Sequence, residues 1–270
     1  MGYILCKDAE AEQPFYVKEL GLSLRSAYEL CYFIYNHSAL IDDGFPSEEM
    51  LRFIGTGCRM PDLERKLRKW KNDGEDVEVL MLTILQDVHY YGERDMRLFS
   101  ERMNRRRGLP AAEKAKQRAD YLLGQKYYSE ALAMYEQILR GEFGEPDAGL
   151  RGRVRYNSAV AMAGLFLFAE AAEAFAESYE ILGQESILRD LCFLYEIDET
   201  IPIRSDLIDP VPARNRLFWK EEYENARTRA ANEGKALRVR AALEKGAFSR
   251  HEAVTALAEE WKNEYRRMSR

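Results

Sequence analysis

The sequence is sparing with the residues that carry most catalytic and cofactor chemistry. Of 270 residues only three are histidine and four are cysteine. The cysteines stand at 6, 31, 58 and 192, none within three positions of another, so neighbours in the chain form no zinc-binding or redox-active pair. His37, His89 and His251 are equally scattered, with no cysteine or carboxylate at metal-ligand spacing, and neither a metal nor a cofactor is expected. No G-x-S-x-G is present, and the close glycines of "FIGTGCRM" (53–60) are not followed by Gly-Lys-Ser/Thr, so neither a nucleophile elbow nor a phosphate loop is indicated. Acidic pairs such as Asp42–Asp43 occur, but 46 acids make such pairs inevitable. An excess of positive charge is also missing. Forty Lys and Arg against 46 Asp and Glu leave a net charge of -6, which argues against a general nucleic-acid binder. Long apolar runs are absent as well. "YNSAVAMAGLFLFA" (156–169) is uncharged but is closed at fourteen residues by Arg155 and Glu170, whereas a membrane span needs about 20. The start, "MGYILCKDAEAEQPFY", has neither the basic beginning nor the apolar core of an export signal. The expectation is a cytoplasmic chain with reduced thiols and no membrane insertion.

What is present is helical patterning, in a chain that is 46% hydrophobic. Ser26 with Glu29 reads as a capping box opening "SAYELCYFIYN", and Pro46 suits the first position of a helix in "GFPSEEMLRFIG". "PDLERKLRKWKNDG" runs from Pro61 to Gly74 with Leu63, Leu67 and Trp70 as an apolar stripe. "EDVEVLMLTILQDVHYYG" has no clear period, but its unbroken length from Glu75 to Tyr91 favours helix, and "ERDMRLFSERMNRRRG" makes a further helix up to Gly108. Short strands are expected near "YILC" (3–6) and "FYVKEL" (15–20), as a terminal hairpin. Pro202, Pro210 and Pro212 forbid a continuous helix in that region. Two charged helices are expected beyond it, Leu217 to Glu244 and Ser249 to Arg267, the second striped with Val254, Leu257, Trp261 and Tyr265. His37 is expected at a helix end, and His89 beside the Tyr90–Tyr91 pair in a structural role.

The chain then repeats itself. "YYSEALAMYEQIL" (127–139) and "LFAEAAEAFAESYEIL" (167–182) align so that Tyr128, Ala131 and Tyr135 match Phe168, Ala171 and Phe175. Ala119 and Ala159 each fall twelve residues before Ala131 and Ala171. Small residues at fixed places are what two closely touching helices require. On these residues, with Asn157, segment 112–183 resembles the tetratricopeptide repeat family, whose units are 34-residue helical hairpins. The units here are 40 apart, which fits a six-residue insertion in "RGEFGEPDAGLRG" (140–152). A third unit begins at "ESILRDLCFLYEI" (185–197) but meets the proline-rich break. The wider chain is similar to a clostridial-type bacterial family, a likeness that brings no activity with it. The resulting expectation is an all-α fold with a short N-terminal β-hairpin: a mainly helical domain over 1–109, a repeat array over 110–198, and capping helices over 199–270.

The resemblance implies a concave groove lined by the first helix of each hairpin, where a partner's peptide or protein segment binds. Mapped onto this chain, that face carries Glu113, Lys116, Asp120 and Leu123 from the first unit and Arg153, Tyr156, Asn157 and Val160 from the second. Lys116 with Arg153 would hold a carboxylate, and Asn157 would bond a peptide backbone. The family's clamp for chaperone C-termini is only partly matched. Lys116 and Asn157 fit, whereas Asp120, Ile187 and Leu191 stand where Asn, Lys and Arg are needed. The function implied is a non-catalytic intracellular adaptor. Two alternatives remain open. One is a nucleic-acid-associated regulator using the basic clusters 65–71 and 102–107 with Trp70 for stacking. The other is an enzyme whose site forms only in three dimensions.

Overall fold

A computed structural model describes residues 11–17, 20–41, 44–244 and 246–268. The fold is all-α with one two-stranded antiparallel hairpin. The hairpin pairs β1 (Phe15–Val17) with β2 (Leu22–Leu24), Phe15 opposite Leu24. The turn between them includes Gly21 in the left-handed region at φ +61°, a conformation costly for other residues. The expected strand at 3–6 and the acidic pair Asp42–Asp43 lie outside the described residues. The chain divides into two compact units, Met1–Pro110 and Ala111–Arg270.

In the first unit, α1 (Ala27–His37) starts where the sequence places it, with the Ser26 hydroxyl accepting from the Glu29 N–H at 3.2 Å. Pro46 does not open the next helix. Ser47 caps α2 (Glu48–Arg52) by accepting from the Met50 N–H, which puts Pro46 outside the helix. A π-helical turn, Phe53–Gly57, continues from α2. Then come α3 (Pro61–Asn72), with Pro61 at its first turn, α4 (Val77–Val88) and α5 (Glu93–Arg107). The ambiguous 75–91 segment is helical, stopped by His89 in the left-handed region. Leu30, Ile34, Leu51, Leu67, Ile84 and Phe99 belong to one buried core. Trp70 packs on the edge of that core.

The second unit is built from hairpins. α6 (Ala111–Gly124) and α7 (Tyr128–Leu139) form the first, α8 (Ala148–Gly164) and α9 (Phe168–Leu182) the second. Both turn in the same way. Three residues link the helices, the middle one left-handed: Lys126 at φ +64° and Phe166 at φ +63°. The hydrogen bonds correspond too, Tyr127 N–H to the Leu122 carbonyl at 2.9 Å and Leu167 N–H to that of Met162 at 3.0 Å. Ala119, Ala131, Ala159 and Ala171 are all fully buried. Gly141 and Gly144, both at positive φ, lie in the longer link between the hairpins, which ends where Asp147 caps α8.

α10 (Glu185–Ile197) packs on α9, and α12 (Ala213–Ala231) packs on α10. Asn215 bonds Glu185, Arg189 pairs with Glu222, and Phe193 meets Tyr223. Numbers rise together on both helices, so α12 runs parallel to α10, as a next leading helix would. Where a trailing helix would stand between them, the proline-bearing link holds the single turn α11 (Ser205–Ile208). Ile201, Ile208 and Val211 of that link share the buried core with Phe175 and Leu191. The expected Leu217–Glu244 helix is two helices, α12 and α13 (Gly234–Leu243), because the chain breaks at Asn232–Glu233 ahead of Gly234, a poor helix former. α14 (Ala247–Met268) pairs with α13 through Lys235–Glu264 and Arg238–Glu260.

Candidate functional site

The residues singled out from the sequence lie on the leading helices α6 and α8, and most of them touch. The Arg153 guanidinium meets Glu113 at 2.5 Å across the seam between these helices. Four residues along α8 is one helical turn, and there the Asn157 amide donates to Asp120 Oδ1 at 2.6 Å. The same oxygen accepts from the Tyr135 hydroxyl of α7 at 2.7 Å, and Oδ2 holds Lys116 Nζ at 2.6 Å. Asp120 thus ties together α6, α7 and α8.

Tyr156 faces the other way, towards α10. Its hydroxyl donates to Asp190 at 2.6 Å, and its ring lies edge-on to Phe175. Val160 is half-buried and packs on the second unit's core beside them. Asp190 in turn accepts from Arg189, whose guanidinium lies over Phe193 and reaches Glu222 of α12 at 3.7 Å. A chain of polar bridges therefore crosses every seam between the leading helices, from Glu113 to Glu222.

Burial sets the protonation of the two phenols in this network. Tyr135 is fully buried, and burial, then the charge of Asp120, pushes its phenol well above the usual range. Burial, followed by the hydrogen bond to Asp190, raises Tyr156 to about 12. Both hydroxyls remain protonated donors at neutral pH. Lys116 is only 12% exposed along its side chain, and it spends its charge on Asp120. Lys116 and Arg153 each already hold a carboxylate of this chain, which an incoming acid has to displace.

Tyr135, Asp190, Arg189 and Glu222 were not among the candidates. A usable signal existed: Asp190 follows Tyr156 by 34 positions and Glu222 follows Arg189 by 33, close to one repeat period.

The basic clusters are largely engaged within the first unit. Arg68 pairs with Glu48 and Glu64, and Lys71 donates to the Pro46 carbonyl. Lys66 reaches Asp87 and lies over the Trp70 ring. Arg102 bonds the Tyr35 carbonyl, Arg106 those of Ser38 and Ile41, and Arg107 pairs with Asp76. His37 ends α1 and stacks on Phe33, and the His89 ring contacts the Asp87 carbonyl. Cys31 is buried, and burial raises its thiol to about 12; burial raises Cys192 to about 11. Among the described residues no group of three or more His, Cys, Asp or Glu is placed to hold a metal ion. Nor is any helix there long and apolar enough to cross a membrane.

No family model, curated protein or solved structure matches this chain.

Proposed function

We propose that this chain is a non-catalytic cytoplasmic adaptor of the tetratricopeptide-repeat type, presenting the face of its leading helices to a segment of a partner protein. The observation that carries this reading is the equivalence of the two hairpins: the same three-residue turn with a left-handed centre, the same buried alanines, and leading helices held side by side by polar bridges. Such a face binds an extended segment through exchange of its surface pairs. Arg153 and Glu113 are 47% and 30% exposed, and an ion pair of that kind contributes about 0–1 kcal/mol, so opening it towards a ligand is cheap. The Lys116–Asp120–Asn157–Tyr135 group beneath is better connected and keeps the face in shape. A segment with its own donors and acceptors suits this surface better than a bare carboxylate terminus.

The test is cross-linked capture from the native host, followed by a binding titration with the partner identified. Glu113→Ala combined with Arg153→Ala is expected to weaken that partner at least tenfold while the helical circular dichroism is unchanged. Equal affinity for the double variant would remove the face from consideration. These two positions are preferable to Lys116 and Asn157, whose replacement strips donors from Asp120 and disturbs the fold itself.

A further inference from the structure

The third hairpin lacks most of its second helix, and the shortfall leaves a gap. Trailing helices α7 and α9 are 12 and 15 residues long, whereas α11 in the corresponding place has four. The link around α11 still lies against its neighbours. Arg204 pairs with Glu180 of α9, and its N–H bonds the Tyr195 hydroxyl. One turn cannot cover what a three-turn helix covers. A cavity of about 410 Å³ opens between α10, residues 203–208 and α12.

Its walls are apolar: Cys192, Phe193 and Tyr195 from α10, Ile208 from α11, and Trp219 from α12. Two further lining residues turn outward at the mouth, Ile203 at 62% exposure and Leu217 at 69%. These two exposed apolar side chains carry the apolar lining out to the surface, and exposed apolar surface continuous with a cavity marks an interaction site. The charge at the mouth has one sign in excess. Arg216 and Lys220 line it against Glu196, which is 3.8 Å from Lys220. The Arg216 side chain is exposed, and among the described residues its guanidinium has no hydrogen-bond or ion-pair partner.

We propose that this gap receives an amphipathic helical segment of a partner protein, bulky apolar residues inward and acidic residues at their flank, completing the hairpin that the chain leaves short. The apolar face replaces the buried side of the missing trailing helix, and an acid beside it pairs with Arg216. This surface is separate from the Glu113–Arg153 face, and neither depends on the other.

The probe is a fluorescein-labelled designed peptide of about 15 residues, with Leu and Trp at i, i+3, i+4 and i+7 and Glu alongside. A second peptide carries Lys in place of each Glu. Fluorescence anisotropy with the full chain is expected to show saturable binding of the Glu peptide, at least tenfold tighter than the Lys peptide. Leu217→Glu is expected to weaken it tenfold or more, and Arg216→Glu to reverse the preference between the two peptides. Both positions are exposed, so the fold survives, which circular dichroism checks. The Glu113→Ala, Arg153→Ala double variant is expected to bind the probe unchanged, which separates failure here from failure of the adaptor face. No saturable binding, or equal binding by Leu217→Glu, overturns the proposal. So does a concentration-dependent dimer in sedimentation velocity that Leu217→Glu abolishes, since the occupant is then a second copy of this chain.

Discussion

Asp120 shows how one side chain joins three helices. Its two oxygens accept from Lys116 on its own helix, Tyr135 on α7 and Asn157 on α8. A carboxylate so supplied is worth more to the fold than to a passing ligand, because removing it takes the acceptor from a buried phenol and the counter-charge from a nearly buried ammonium. In the first unit, Cys31 acts through burial alone at first order. It is fully buried, and desolvation, helped by Cys58, raises its thiol from about 9 to about 12. The folded state therefore keeps the proton that the unfolded chain releases from pH 9 upward. The stability this group contributes is whole below pH 9 and is lost as pH climbs from 9 towards 12. Urea unfolding of the native chain and of Cys31→Ala at about pH 8 and about pH 10.5 checks this. The native chain is expected to lose more stability between the two pH values than the variant, and equal losses would deny Cys31 the effect.

At the level of the element, small residues decide where the hairpins close. Ala171 on α9 is fully buried, whereas Ala169, two positions earlier on the same helix, is exposed. Leucine at position 171 needs space that a close-packed helix pair does not contain, and overpacking of this kind costs about 1–3 kcal/mol. Ala171→Leu is thus expected to lower the urea midpoint of the second unit, and Ala169→Leu to leave it within about 0.5 kcal/mol. Parallel behaviour of the two variants would mean that α8 and α9 are not in close contact at Ala171. Close approach also explains Gly152. A Cβ there would stand 2.6 Å from the Leu182 side chain, so this glycine is required by packing and not by backbone conformation.

For the whole molecule, each unit has its own core, one around Leu30, Leu67 and Phe99 and the other around Ala171, Leu191 and Trp219. Separate cores imply separate cooperativity. Unfolding followed by circular dichroism is expected to need two transitions, and a fragment of residues 111–270 to keep its helices and a urea transition of its own. An unfolded fragment would show that the second unit depends on the first. α13 and α14 stand differently within that unit, since Val254, Trp261 and Tyr265 are about 40% exposed or more and the pair is joined by surface ions. A chain ending after Ala231 is expected to retain the stability of α6–α12, as judged by an unchanged urea midpoint of that transition.

Much of this was legible from the residues themselves. Ser26 and Pro61 start helices because cap and first-turn chemistry is local, and the 40-residue echo of Ala131 in Ala171 announced paired hairpins because helix contact leaves no alternative to a small side chain. The sequence also brought Glu113, Lys116, Asp120, Arg153 and Asn157 onto neighbouring turns of two helices, since period and helical geometry suffice for that. Local chemistry misled at Pro46, where Ser47 competed for the cap, and at 217–244, where one Gly outweighed a long charged pattern. Only the tertiary structure decided that Lys116 and Arg153 spend their charges on Asp120 and Glu113, that α12 lies parallel to α10, and that a short α11 leaves a gap between them. The reason is that a charge or a cavity is defined by what stands opposite it, and what stands opposite is a residue tens of positions away.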